Sequence, residues 1–336
     1  MRAQQYSNFR VLMSIDGDDV ASSDVCERFT TDPRFQLVQH HRIGRVANLN
    51  FLLSQVREDF YVYLQQDDRL HPRFLAVLAE QAQAHPAASS IYADCEWFGL
   101  RSGRIENPPL TGSPLERVLE QIERPRIAPI RGLIRRQALE RAGPINANAY
   151  DSVRQDKIWL AKLAREGDFV RVPETLYFKR RHEGATGLSW KSWPADRRRG
   201  AWLEAALGAI EAALPLVPAS DHTRILTFVA DRFVIPRPGR DLYFNALAAG
   251  EQEATRFVHD LLSEAWIRFG TLPFPNLLGA SRPVDALASG QAACEEEPAV
   301  RLMIQGVLDH LEYWLSALAG ETAPNRGRPE TGVLAV

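Results

Sequence analysis

The chain has few of the residues that mark disulfide-rich, zinc-binding or membrane-spanning proteins. Its 336 residues include three cysteines, Cys26, Cys95 and Cys294, and an odd number of widely spaced thiols argues against a disulfide framework and a zinc cluster. No run approaches the roughly 18 apolar residues of a spanning helix, and residues 1–10 are polar rather than signal-like. We therefore expect a reducing, cytoplasmic setting with no transmembrane segment, while a peripheral membrane contact stays open.

The chain also lacks a strong charge of either sign. Forty basic and 42 acidic side chains leave a formal net charge of -2, so no overall field attracts nucleic acid, and we expect no such partner. Hydrophobic residues make up 45% of the chain and charged residues 24%, which is typical of an ordinary globular protein. The length suggests about two domains.

The first half of the chain alternates short β-rich runs with helical patterns, which is typical of strands joined by crossover helices. The strand-like runs lie at residues 9–15, 35–39, 60–64, 90–94, 129–134 and 169–178, and the helical patterns at 46–56, 72–84, 135–142 and 152–166. Residues 100–115 are rich in Gly, Pro and Ser, so we expect a loop there.

The character of the sequence changes at about residue 195, where β-rich runs nearly disappear. Apolar residues then recur at helical spacing, and a long apolar stripe runs from Val300 to Leu318. We predict three regions: an α/β domain at 1–194, a mainly helical region at 195–319 and a disordered tail at 320–336.

Two adjacent carboxylates, Asp67 and Asp68, follow the strand-like run at 60–64. Ligands of open α/β sheets bind at the carboxyl ends of strands, and paired carboxylates there suit a hard divalent cation that carries phosphate. Asp16 follows the first strand and Asp156 opens a helix, so in a parallel sheet the strand-end acids would converge on one edge. A solvated turn that leads into a helix is the alternative interpretation of the pair.

A series of short motifs resembles family 2 glycosyltransferases of the GT-A fold in order and spacing. The motifs are Ser7–Leu12, Asp16-Gly17, Asp32-Pro33-Arg34, Gly44 with Asn50, Leu64–Asp68 with Pro72, Arg131-Gly132 with Gly143, Gln155-Asp156 and Arg181-His182. The similarity covers roughly residues 5–190. It implies an α/β fold with a GT-A-like, mostly parallel sheet flanked by helices, followed by the mainly helical C-terminal extension.

The resemblance also implies an inverting, metal-assisted enzyme that moves a sugar from a nucleotide-sugar donor to a saccharide or glycolipid acceptor. The residues fall into four implied roles: Asp16, Asn50 and Arg181 contact the donor, Asp67, Asp68 and His182 hold Mg2+ or Mn2+, Asp156 is the general base, and Trp190 stacks on the acceptor. The cation would neutralise the departing diphosphate, and the base would deprotonate the acceptor hydroxyl.

Each implied role competes with a simpler structural interpretation. Asp16 can cap a turn with Gly17, and Asp156 can be an acid that the helix dipole favours at a helix N-terminus. His182 can be an ordinary surface histidine, and Trp190 can seal a junction between domains.

Two features depart from the family pattern. Gln65 stands at the first position of the DxD metal motif, and its neutral amide oxygen is a poorer ligand for a hard cation than a carboxylate. Family members also carry a strand and a helix before the position of residues 7–15, where this chain has Met1 to Tyr6. That strand would lie between the runs at 9–15 and 60–64, so we expect both to lack a neighbour, at about 1 to 3 kcal/mol for each unpaired buried backbone group.

The short N-terminus has two explanations, a misassigned start or a real truncation, and one other function stays open. Gln65 and the missing strand would suit a non-catalytic nucleotide- or sugar-binding remnant of the family. A nucleotidyltransferase on a similar sheet would need a Gly-rich phosphate loop bearing Lys or Arg near the start, and the sequence has none there.

Overall fold

The computed structural model describes residues 1–182, 190, 192–234, 244, 246 and 250–269. The chain divides into two compact units, Met1–Ser189 and Trp190–Val336. The predicted apolar stripe from Val300 to Leu318 and the predicted tail at 320–336 lie outside the described residues.

The first unit is an α/β structure of alternating strands and helices. Its strands are β1 (Val11–Asp16), β2 (Phe35–His40), β3 (Phe60–Val62), β4 (Arg69–Leu70), β5 (Ala88–Gly99), β6 (Gly103–Ile105), β7 (Leu133–Arg135) and β8 (Asp168–Arg181). Its helices are α1 (Val20–Glu27), α2 (Arg45–Ser54), α3 (Phe74–Ala84), α4 (Pro114–Glu123), α5 (Arg136–Ala142) and α6 (Gln155–Glu166). The expected α/β class, a sheet flanked by helices, is confirmed.

The described strands form two sheets. β1 and β2 make a parallel pair, and a six-stranded sheet has the order β3-β7-β5-β8-β4 with β6 paired to β5. In the larger sheet β5 and β8 run parallel, whereas the β3–β7, β7–β5, β5–β6 and β4–β8 pairs are antiparallel. The prediction of a mostly parallel sheet is wrong in this detail. One reason is the short link at 100–102 between β5 and β6, since so short a connection joins antiparallel strands.

The strands β1 and β3 share no ladder. Among the described residues β1 pairs with β2 alone and β3 pairs with β7 alone, so each strand has one open edge. The expectation that both strands are buried is wrong, because all of β3 and all of β1 except Ile15 are only partly buried. Backbone groups that stay near water cost less when unpaired than buried ones.

The core of the first unit is centred on β5. All eight residues from Ala88 to Cys95 are buried, which is typical of a strand covered on both faces. Leu78 of α3 and Leu163 of α6 are fully buried in the same apolar cluster. The two helices thus fix the central strands, and the ends of those strands position the site described below.

Three local predictions differ from the structure. Residues Ala128–Arg131 form a 3-10 turn ahead of β7 instead of an extended run, and the predicted loop at 100–115 contains β6 and the first residues of α4. The apolar pattern does not predict α4, although Ser113 and Glu116 form a capping box at its start, which is a sequence-level signal. The sequence does not predict α1 either, because this helix buries no side chain and so carries no apolar periodicity.

The second unit is helical wherever it is described as regular structure. It contains α7 (Ala195–Ala213), α8 (His222–Val234) and α9 (Glu251–Phe269). The buried Trp202 of α7 donates its indole N–H to the carbonyl of Phe233 at 2.6 Å, and the two rings lie 4.9 Å apart. No described helix is both long and apolar enough to cross a membrane.

Candidate functional site

The candidate site lies where the turn after β3 meets the end of β8. Residues 65–68 form this turn, which the Asp68 amide closes by donating to the Gln65 carbonyl at 3.1 Å. Four contacts join the turn to β8 and the residue after it: Tyr177 and the Arg180 amide to Asp68, Lys179 to Gln65, and His182 to Asp67. The sequence-predicted acids therefore do lie beside the basic end of the last strand.

Asp67 and His182 form the solvent-facing part of the site. Asp67 Oδ2 lies 3.0 Å from His182 Nε2, and the two side chains are 24% and 44% exposed. A ligand in solvent can therefore reach both groups. Of the three predicted cation ligands, these two are brought together with accessible polar atoms.

Asp68 points into the protein and is fully buried. Its Oδ2 accepts the Tyr177 hydroxyl at 2.6 Å, and its Oδ1 accepts the Arg180 amide N–H at 2.9 Å. Burial raises the pKa of Tyr177 above its ordinary value, so the phenol stays protonated and donates. Both Asp68 oxygens are thus used to fasten the turn to β8.

Gln65 accepts hydrogen bonds from two cations at one oxygen. Lys179 Nζ lies 2.9 Å and Arg131 Nη2 lies 3.2 Å from Gln65 Oε1. Lysine and arginine are donors only, so this contact requires the amide oxygen, not its NH2 group, to face them. Burial, together with the charge of Arg131, lowers the pKa of Lys179.

Sequence reasoning assigned no role to Lys179 or Arg131. Arg131 belongs to the Arg131-Gly132 motif, and Lys179 directly follows the strand-like run at 169–178. Neither segment shows that the two side chains meet at Gln65, because the contacts span 114 and 66 positions of sequence.

Asp16 and Asn50, the predicted donor contacts, make backbone contacts that position α2. Asp16 accepts the N–H groups of Ile43 at 2.6 Å and Gly44 at 3.0 Å, just ahead of the helix. Asn50 exchanges two hydrogen bonds with the backbone of Ile145, at 2.8 and 2.9 Å. Their contact with a donor stays a prediction, as does that of Arg181, whose side chain is partly buried.

Asp156 is the second residue of α6 and follows a strained turn. Asp151, Ser152 and Arg154 have positive φ values of 49°, 53° and 63°, a conformation that non-glycine residues rarely adopt and that clusters at functional sites. The half-buried Asp156 carboxylate accepts the amide of Lys157 at 2.9 Å. Its role as a base stays a prediction, and so does the acceptor role of Trp190, the first residue of the second unit.

The observed donors do not fit a divalent cation held by the DxD position. Gln65 turns its oxygen toward two cations, and both Asp68 oxygens face protein donors. This leaves one carboxylate and one imidazole, a poor set for Mg2+, which prefers near-octahedral oxygen coordination. Within the part of the chain that the structure describes, no three His, Cys, Asp or Glu side chains are grouped to hold a metal.

Comparisons with known proteins agree with this architecture. Residues 1–143 match the family model described as glycosyl transferase family 2, whereas the curated proteins gave no match. The structure of S. aureus TarS 1–349 in complex with UDP-GlcNAc has a TM-score of 0.61 at 13% identity, covering 96% of this chain and 86% of that one.

A second structure of S. aureus TarS has a TM-score of 0.54 at 13% identity, covering 90% of this chain and 48% of that one. The chain therefore spans about half of that longer structure. At such low identity, both likenesses identify a shared fold.

Proposed function

We propose that the chain is a family 2 glycosyltransferase, whose family model residues 1–143 match, and that it transfers a sugar from a nucleotide-sugar donor to a saccharide or glycolipid acceptor with inversion. The observation that carries the proposal is the cluster at the end of β3 and β8, where Asp67 and His182 face solvent beside Lys179 and Arg131. Strand ends of α/β sheets are where such folds bind ligands.

In the proposed reaction the acceptor hydroxyl attacks the sugar carbon from the side opposite the diphosphate. Asp156 takes the hydroxyl proton as the new carbon–oxygen bond forms, and the bond to the diphosphate oxygen breaks with its electron pair. Glycosyltransferases of this fold commonly use a divalent cation to stabilise that leaving group. Because the donor set here does not fit one, no step is assigned to a cation.

The role of Asp156 is tested by its conservative replacement. Asp156→Asn keeps the size of the side chain but cannot accept a proton, so we expect kcat to fall by about 10²- to 10⁴-fold. The measurement is turnover of a panel of nucleotide sugars, with donor affinity followed by calorimetry and expected to change less than about threefold. Asp151→Asn, at the exposed first residue of the turn before α6, is the matched control and should keep normal turnover.

Full turnover by Asp156→Asn would show that the base is another residue. A second candidate function is the non-catalytic binding remnant. It is favoured because the side-chain oxygens of Gln65 and Asp68 accept hydrogen bonds from protein donors. Binding of nucleotide sugars without any turnover, across the whole panel, would favour that remnant. The acceptor class and the cytoplasmic setting stay predictions from the sequence.

A further inference from the structure

We propose that Lys179 and Arg131, rather than a divalent cation, neutralise the diphosphate of the donor and of the departing nucleoside diphosphate. This inference rests on the proposed function, because it names the groups that would hold the donor at the same site. It departs from the expectation of a Mg2+- or Mn2+-assisted enzyme.

The first argument is the charge of the cluster around Gln65. Lys179 and Arg131 both lie within hydrogen-bond distance of a single neutral oxygen, so Gln65 positions the two positive charges without compensating either. A carboxylate at this position would pair with them. The neutral amide therefore leaves the two cations able to attract an anionic ligand.

The second argument is that the nearest buried carboxylate offsets only part of the pair's charge and occupies none of its hydrogen-bonding positions. Asp68 Oδ2 forms an ion pair with Arg131 Nε at 3.8 Å but no hydrogen bond at that distance, and its oxygens already accept from Tyr177 and the Arg180 amide. Arg131 Nε has no hydrogen-bond partner of its own. A guanidinium fork and an ammonium together match the adjacent oxygens of a diphosphate.

The third argument is the cost of placing a cation in the same position. A metal bound to Gln65 Oε1 would sit beside an ammonium and a guanidinium, and like charges at such distances repel strongly. Recruiting Asp68 would break its bonds to Tyr177 and Arg180 and so detach the turn from β8. Phosphate binding by the existing cations requires neither change.

The proposal predicts that nucleotide binding does not need a metal. Titration of the full chain with UDP and with GDP, followed by calorimetry, should give dissociation constants in EDTA and in Mn2+ that agree within about threefold. Lys179→Met removes the charge and keeps most of the stem, so it should weaken binding in EDTA by about tenfold or more. Lys179→Arg keeps the charge and should retain most of the affinity.

Arg180→Met is the matched control for Lys179→Met. It removes one positive charge from the adjacent position of the same strand, where the side chain points to the opposite face. We expect less than about a threefold loss. An equal loss in both variants would mean that general charge, not the Lys179 contact, attracts the nucleotide, and the proposal would be wrong.

Gln65→Glu should change nucleotide affinity in opposite directions for a cation-pair site and for a metal site. Under the proposal, the new carboxylate pairs with Lys179 and Arg131 and competes with the diphosphate, so binding in EDTA should weaken by about tenfold. If the turn is a metal site, the same change completes it and strengthens binding in Mn2+. Tighter Mn2+-dependent binding by this variant would overturn the proposal.

The failure of this inference can be distinguished from failure of the proposed function. Nucleotide binding that occurs in Mn2+ and is lost in EDTA would overturn the inference and leave the glycosyltransferase assignment intact. No binding of any nucleotide or nucleotide sugar in either condition would overturn both. Circular dichroism of each variant shows whether it is folded, and the charge-retaining Lys179→Arg gives a reading if Lys179→Met does not fold.

Discussion

At the scale of single residues, Asp67 and Asp68 are neighbours in sequence but differ in environment. Asp67 is partly exposed and contacts His182, whereas Asp68 is buried and accepts from Tyr177 and the Arg180 amide. The sequence predicted one shared role for the pair. Their different burial separates them into a group that solvent can reach and a group that holds the fold.

This difference predicts that the same substitution lowers stability strongly at Asp68 and hardly at all at Asp67. Asp68→Asn replaces a buried charge that accepts two hydrogen bonds, so the free energy of unfolding should fall by about 2 to 3 kcal/mol. Asp67→Asn should change it by no more than about 0.5 kcal/mol. Urea denaturation followed by circular dichroism measures both, and equal losses would contradict the assignment of Asp68 to the fold.

At the scale of elements, the close approach of the Ala128–Arg131 turn to β5 helps to bring Arg131 to the site. Gly132 follows this turn, and a Cβ added there would lie 2.9 Å from both Ser90 Oγ and Tyr92 Cβ and would collide with the carbonyl oxygen of Ile91. The missing side chain is what lets the turn lie against the central strand.

Gly132→Ala should therefore destabilise the protein by overpacking. We expect a loss of about 1 to 3 kcal/mol in the free energy of unfolding, with weaker nucleotide binding because Arg131 shifts with the turn. Gly143→Ala is the control: nothing lies within 4 Å of its added Cβ, and its backbone at φ 71° and ψ -172°, a region that is essentially limited to glycine, costs about 1 to 3 kcal/mol. Denaturation and UDP titration of both variants test this comparison. Unchanged UDP affinity in Gly132→Ala would show that the position of Arg131 does not depend on the close approach of the turn to β5.

At the scale of the whole molecule, the two sheets of the first unit share no ladder but are linked by an ion pair. Arg10, ahead of β1, contacts both carboxylate oxygens of Glu58, ahead of β3, at 2.8 and 3.1 Å. The hydrogen bond from Arg10 lowers the pKa of Glu58 from about 4.5 to about 2. The bridge thus joins the two open-edged strands at their starts.

The Glu58 pair predicts a loss of stability in acid. A lowered carboxyl pKa means that the stabilisation is present above about pH 4.5 and is lost as the pH falls toward about 2. Glu58 is 45% exposed, so Glu58→Gln should cost less than about 1 kcal/mol at pH 7.

The difference from wild type should shrink when denaturation is repeated at pH 3. Glu140→Gln, which removes a pair within one helix, should cost less. A gap between Glu58→Gln and wild type that stays constant with pH would contradict the link.

The sequence by itself determined the α/β class, the resemblance to family 2 glycosyltransferases and the place of the acids at a strand end, because local patterns and ordered motifs encode them. The mixed strand directions and the distinct roles of Asp67 and Asp68 were decided by tertiary structure. The meeting of Lys179 with Gln65 spans 114 positions, and that of Tyr177 with Asp68 spans 109. Such contacts depend on how β8 lies against the turn after β3, and strand pairing of this kind leaves no local trace in the sequence.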